Sequence, residues 1–142
     1  MKQPQMLFDA NAIYRLIRDY PDDALNHLAE GLTINLAYYE LGNALWRESF
    51  LLKRISEEDA KKSLYFTYEV LERMQIATIN SEKGRSALDL ACKLNLTFYD
   101  SAYLTEAKAF DKTLVTDDKK LAKAAEKIGV KTLPSTAILN NR

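Results

Sequence analysis

Five short apolar runs, separated by longer stretches with helical spacing, constrain this chain more tightly than any other feature of its sequence. Met6-Leu7-Phe8, the alternating Leu32-Thr33-Ile34-Asn35-Leu36-Ala37, Ile76-Ala77-Thr78-Ile79 and residues 113–116 and 130–133 each have the length and composition of a strand. Between the first two, residues 11–18 place Ile13, Leu16 and Ile17 on one helical face. Pro21-Asp22-Asp23 then opens a second helix, with Leu25, Leu28 and Ala29 as its inner side and Gly31 as its stop. Residues 38–54 form a helix carrying Leu41, Leu45, Trp46 and Leu52, and Ser56 caps another that runs to about Met74 on a stripe of Leu64, Tyr65, Tyr68, Val70 and Leu71. Ser81 caps a helix ending near Asn95, with Leu88, Ala91 and Cys92 facing inward, and a Lys/Ala-rich helix over 118–128 is closed by Gly129. Strands that alternate with helices in this way predict a mostly parallel sheet with helices on both faces, an α/β fold.

The 142 residues fit one domain, 1–142, with the helical pair at about 38–74 as an insertion longer than a simple crossover requires. Such insertions make clamps, lids or dimer faces. A single cysteine, Cys92, excludes an internal disulfide and a cysteine-rich zinc site, and reads as a small core residue. No run is long enough to span a membrane, and the opening residues lack the apolar core and cleavage site of a signal peptide, so a cytoplasmic location is expected. Twenty basic residues balance twenty acidic ones, so the whole molecule sets up no field that would gather nucleic acid. Lys53-Arg54, Lys61-Lys62 and Lys119-Lys120 are local clusters that read first as solvated helix faces.

The acids are placed less evenly than the overall balance suggests. Asp9 follows the first strand, Glu40 lies in the first turn of the helix after the second, Asp100 stands at the start of a helix, and Asp117-Asp118 follow the fourth strand. Ligands of open α/β sheets bind at the carboxyl ends of strands, in the crevice where the winding reverses. If the first and fourth strands are neighbours, Asp9 and Asp118 face each other there. Packed carboxylates repel and raise one another's pKa unless a cation neutralises them, and an oxygen-only set favours Mg²⁺ or Mn²⁺. A water made more acidic by such an ion can attack a phosphodiester, and a second ion about 3.5–4 Å away would stabilise the leaving oxygen. Each acid also has a structural reading: one of Asp117 and Asp118 as a helix N-cap, Glu40 and Asp100 as first-turn acids opposing a helix dipole.

Taken together, Leu-Phe-Asp9-Ala-Asn11, Tyr-Glu40-Leu-Gly-Asn43-Ala-Leu, Thr-Phe-Tyr-Asp100-Ser-Ala-Tyr and Leu-Val-Thr116-Asp-Asp118-Lys-Lys-Leu resemble the successive motifs of PIN-domain ribonucleases. The resemblance runs from about Gln5 to Pro134 and is nearest to the short VapC type, the toxin of a toxin–antitoxin pair. It implies a three-layer α/β/α fold with a parallel five-stranded sheet in the order 3-2-1-4-5. It also implies a Mg²⁺- or Mn²⁺-dependent endoribonuclease acting on RNA, a homodimer, and inhibition by a small antitoxin protein. Asp9, Glu40, Asp100 and Asp118 match the family's acids, with Asp9, Asp100 and Asp118 as metal ligands. Thr116, Asn11 and Asn43 are supporting polar groups. The Thr-x-Asp pattern selects Asp118, leaving Asp117 in reserve as a cap or a bystander.

Two other readings belong to different classes. A PIN-like module that binds RNA or protein without cutting would be expected to have lost an acid, and all four are present. An aspartyl-nucleophile phosphohydrolase of the halo-acid dehalogenase type wants an aspartate two residues after Asp9, where this chain has Asn11. His27 has no evident acid partner for general-base work, and Trp46 with Tyr38, Tyr39, Tyr65 and Tyr68 reads as core or dimer surface.

Overall fold

In the computed structural model, which describes residues 5–140, β1 (Met6–Phe8) is the middle strand of a five-stranded parallel sheet ordered β3-β2-β1-β4-β5. Its neighbours are β2 (Leu32–Ile34) and β4 (Thr113–Val115), with β3 (Gln75–Ala77) and β5 (Thr132–Leu133) at the edges. Leu7, Phe8, Leu114 and Val115 are almost wholly buried, as expected for central parallel strands covered on both faces. Between β1 and β3 the chain forms α1 (Ala10–Asp19), α2 (Pro21–Leu28), α3 (Leu36–Trp46) and α4 (Glu57–Glu72), which pack on one another. After β3 come α5 (Ser81–Leu94), α6 (Phe98–Ala109) and, beyond β4, α7 (Lys119–Lys127), which form the opposite layer. This three-layer α/β/α arrangement and its 3-2-1-4-5 order are those expected from the motifs. Winding outward in both directions from β1 and β4 places the reversal between those two strands.

Register then brings the acids together. Phe8 pairs with Val115, and the Asp9 amide continues the ladder by donating to the Val115 carbonyl at 3.1 Å, so Asp9 lies opposite Thr116. On the other side of β1 the Thr33 hydroxyl, fully buried, donates to the Phe8 carbonyl at 2.7 Å. Gly31 makes room for the same segment, since a Cβ there would stand 2.5 Å from the Phe8 ring. Gly31→Ala is therefore expected to destabilise the fold by roughly 1–3 kcal/mol through displacement of a ring buried in the core. Chemical denaturation read by near-ultraviolet circular dichroism measures that loss.

Several elements differ from the sequence expectation. The second strand ends at Ile34, not at Ala37, because Asn35 is already helical and Leu36 and Ala37 open α3. The third strand is Gln75–Ala77, and Ile79, expected within it, is half exposed in the loop that follows. The helix over 38–54 stops at Trp46 and widens into a π-helical turn, Arg47–Leu51, in which the Leu52 amide donates to the Arg47 carbonyl at 2.7 Å. The wider turn breaks the 3.6-residue period, so Leu52 is turned into solvent, and Trp46 stacks on Phe50 at the surface instead of entering the core. In α4 the buried positions are Ala60, Thr67, Val70 and Leu71; Tyr65 is exposed, while Tyr68 reaches across to donate to the Tyr38 carbonyl.

In α5 the cap is Asn80 and not Ser81, its side chain accepting from the Lys83 amide. Ala87 and Ala91 face inward, whereas Leu88 and Cys92 are exposed. The reason is the close approach of α6, where buried Ser101 donates to the Ala87 carbonyl and only small residues fit at the seam. In α2 the fully buried residues are Ala24 and Leu28, with Leu25 packed at the edge. The last helix begins after Asp118 and ends at Lys127, just before Gly129 at φ 78°.

Candidate active site

Asp9 occupies the position between β1 and α1 that the sheet reversal singles out. Its carboxylate caps α1 by accepting from the Ala12 amide at 2.8 Å, and Thr116 across the ladder contributes a side-chain hydrogen bond. The residue is only 5% exposed. Desolvation raises its pKa to about 6 despite these hydrogen bonds, and the charges of Asp117 and Asp100 push in the same direction. A carboxylate held this far from water, next to other acids, is costly to ionise unless a cation accompanies it.

The other acids close around it in a chain of repulsions. Asp100 is the third residue of α6, and its amide donates to the hydroxyl of the N-cap Thr97 at 3.1 Å, a hydroxyl that also lowers the pKa of the Asp100 carboxyl. Burial raises the Asp100 pKa, the Asp118 charge raises it further, and Lys120 partly offsets both. Glu40, the fifth residue of α3 and so in its second turn, not the first as expected, is raised chiefly by desolvation and also by Asp100. Its Oε1 accepts a 2.7 Å hydrogen bond from the Tyr103 hydroxyl, one helical turn along α6 from Asp100. Asn11 and Asn43 line the groove beside Glu40. Asp9, Glu40, Asp100 and Asp118 thus meet electrostatically at one edge of the sheet, although no three carboxylates converge into a preformed metal cage among the described residues.

The aspartate doublet divides differently from the expectation that made Asp117 the cap. Asp118 is the N-cap of α7, its Oδ1 accepting from the Lys120 and Leu121 amides at 2.9 and 3.1 Å. Asp117 instead ties down the segment after β5: its two oxygens accept from the Ser135 amide at 2.9 Å and the Ser135 hydroxyl at 2.6 Å. Arg15 on α1 stands 3.7 Å from it. Both Asp117 oxygens are therefore engaged, while Asp118 commits only Oδ1.

Tyr103 was absent from the sequence candidates. It is 2% exposed, and burial together with the Glu40 charge holds its hydroxyl firmly in the protonated, donating form. The available signal was its spacing, since a residue three after Asp100 in a helix shares its face. Tyr103→Phe is expected to lower turnover about tenfold, with a stability loss of about 1 kcal/mol, because Glu40 loses its donor while the ring packing is kept. Steady-state kinetics on the variant, with melting followed in parallel, separates the two effects.

A model of the PIN domain matches residues 6–127. The chain is 34% identical over 133 residues to "Exonuclease VapC9" of Pyrobaculum aerophilum, covering 91% of this chain and 92% of the relative. Among solved structures, PAE2754 from Pyrobaculum aerophilum superposes with a TM-score of 0.78 at 28% identity over 96% of both chains. VapBC2 from Rickettsia felis, solved bound to a DNA fragment from its promoter, gives 0.63 at 18% identity over 91% of this chain and 97% of that one.

Proposed function

We propose, from the premise that this chain belongs to the PIN-domain family, that it is a divalent-metal-dependent endoribonuclease and the toxin half of a toxin–antitoxin pair. The observation that carries the reading is Asp9, buried at the sheet reversal with its ionisation opposed by burial and by two neighbouring aspartates. Such a carboxylate destabilises a protein that leaves it uncompensated, and an ion relieves that penalty. The donor set is all oxygen, which fits Mg²⁺ or Mn²⁺. Mg²⁺ held by a few carboxylates keeps several of its waters.

Asp9, Asp100 and Asp118 are the residues assigned to hold the ion, with Asp117 held by Ser135 and kept out of that set. When bound, the ion supplies a water of lowered pKa and compensates charge that develops on the phosphodiester oxygens. Glu40, fixed by Tyr103, orients the attacking water. Thr116 keeps the Asp9 carboxylate aimed at the site, and its hydroxyl also accepts from the Asp118 amide at 3.1 Å, so one threonine braces two acids. Lys119 and Lys120, the latter with a charge that reaches Asp100, are assigned to the RNA backbone. The likeness to a VapC relative and to a VapBC complex supports an antitoxin partner, and a homodimer belongs to the same proposal.

The test is cleavage of transfer, ribosomal and messenger RNA, together with a circularised transcript, with Mg²⁺, with Mn²⁺ and with chelator. Metal-dependent cutting of the circle is expected. Cutting of linear RNA alone would replace the endonuclease assignment by an exonuclease, and no cutting of any RNA with the ion bound would leave a binding module.

A further inference from the structure

The groove that holds Glu40 runs on past it, between α1 and α3, as an open channel of about 600 Å³. Asn11 and Tyr14 stand on its α1 side, and Glu40, Asn43 and Arg47 follow one another on its α3 side at intervals of three and four residues. Arg47 keeps helical dihedrals (φ −60°, ψ −46°), so this row continues unbroken into the start of the π-helical turn. The residue is exposed, and among the described residues its guanidinium makes no hydrogen bond or ion pair. The sequence itself leaves it so. The positions one turn away, Asn43, Ala44, Phe50 and Leu51, offer no acid, and the adjacent Glu48 is taken by Arg54 at 3.3 Å. By contrast, Arg15 and Arg18 on α1 each have a carboxylate partner.

We propose that Arg47 holds a backbone phosphate of the RNA beside the one that is cut, a proposal that rests on the ribonuclease reading of the adjoining carboxylates. An ion compensates charge at the reacting phosphate, but the phosphates that flank it still approach a cluster of acids. The chain carries no net charge to draw them in, so cations placed one by one must hold them. Lys119 and Lys120 begin α7 after β4, Arg47 ends α3 after β2, and β2 and β4 flank β1 in the sheet. The carboxylates therefore have a cation on each side along the sheet edge. Arg47 is seven residues from Glu40, about 10 Å along the helix axis, which directs its guanidinium to a neighbouring phosphate and not to the reacting one. A guanidinium meets a phosphate through two parallel hydrogen bonds. An acidic side chain of a protein partner accepts the same bonds, but RNA cut beside Glu40 must lie in this groove and brings a charge with every nucleotide.

The experiment measures cleavage of a short single-stranded oligoribonucleotide over a range of salt, by the full chain and its Arg47→Gln and Arg47→Lys variants. Arg47→Gln is expected to raise KM about tenfold with kcat within about twofold, and to lower the slope of log KM against log salt by about 0.7, the share of one phosphate on a single strand. Arg47→Lys should keep the slope, because it keeps the charge. Melting should be alike in all three, since the side chain has no partner in the protein to lose. Substrates that each carry one uncharged 2′-O-methyl methylphosphonate linkage then locate the phosphate. One linkage near the cut should raise KM for the wild type and not for Arg47→Gln. Losses that add at every linkage, or a KM and slope untouched by Arg47→Gln, overturn the contact and leave the nuclease standing. Independently of cleavage, fluorescence anisotropy of the same oligonucleotide on Asp9→Asn protein, with and without Arg47→Gln, reads binding alone. Binding that depends on Arg47 in a chain that cuts no RNA would keep the contact and sink the nuclease, and binding indifferent to Arg47 overturns the contact. An oligoglutamate peptide whose binding is lost in Arg47→Gln, while RNA binding is not, would assign the arginine to an acidic protein partner, and the proposal falls.

Discussion

Asp9→Asn is expected to lower RNA cleavage at saturating Mg²⁺ by at least on the order of 10³-fold, and at the same time to make the metal-free protein more stable. The two effects share one cause. Asp9 has a native pKa of about 6 against 3.8 for the same group exposed to solvent in the unfolded chain, so between these values the folded chain binds more protons than the unfolded one. Stability of the metal-free wild type therefore falls as pH rises from about 4 to about 6, by up to roughly 3 kcal/mol, and stays low above that window. Asparagine retains a side-chain oxygen for the Ala12 amide and introduces no charge, so its advantage should be absent near pH 4 and reach its full size above pH 6. Denaturation in chelator across that range measures the difference. A wild type more stable than the variant at neutral pH would mean that Asp9 is already compensated within the protein, and the argument for an ion would lose its footing.

The aspartate doublet gives the second large effect. Asp118→Asn preserves the cap on α7 and removes only the charge, so stability should stay within about 0.5 kcal/mol while cleavage falls by at least about 10²-fold. Asp118→Ala should add a stability loss of about 1–2 kcal/mol to the same catalytic defect, since the Lys120 and Leu121 amides lose their acceptor. Asp117→Asn should behave in the opposite sense: a loss of about 1–2 kcal/mol from its weakened hold on Ser135, with cleavage kept within about tenfold. Kinetics and melting on the three variants, read side by side, decide the division. Inverted results would move the ligand role to Asp117.

What could be read in the sequence was whatever short-range patterning controls. Met6-Leu7-Phe8 followed by Asp9 is a buried strand ending in an acid, and the structure places it so, because a short apolar run leading into an amphipathic helix is suited to the centre of a parallel sheet covered on both faces. The strand order came from the motif resemblance and is the observed one, and with it the pairing of Asp9 with the segment after β4. Contacts between distant helices were not legible. Tyr103 meets Glu40 across 63 residues, and Ser135 meets Asp117 only because β5 and the segment beyond it fold back over the sheet edge. Helical period misled at two places for definite reasons: the π-helical turn after Trp46 shifted the stripe that Leu52 would have continued, and the tight α5–α6 seam selected Ala87 and Ala91 over the larger Leu88. The Thr97–Asp100 cap lay within a four-residue window and could have been found from it.

Mn²⁺ titration into metal-free protein, followed by electron paramagnetic resonance of the free ion, puts the four-carboxylate site to its most direct test. Wild-type protein is predicted to take up Mn²⁺ with an affinity that Mg²⁺ competes away, and both Asp9→Asn and Asp118→Asn to bind it at least about tenfold more weakly, whereas Asp117→Asn binds as the wild type does. Equal uptake by wild type and Asp9→Asn would contradict the account at its centre.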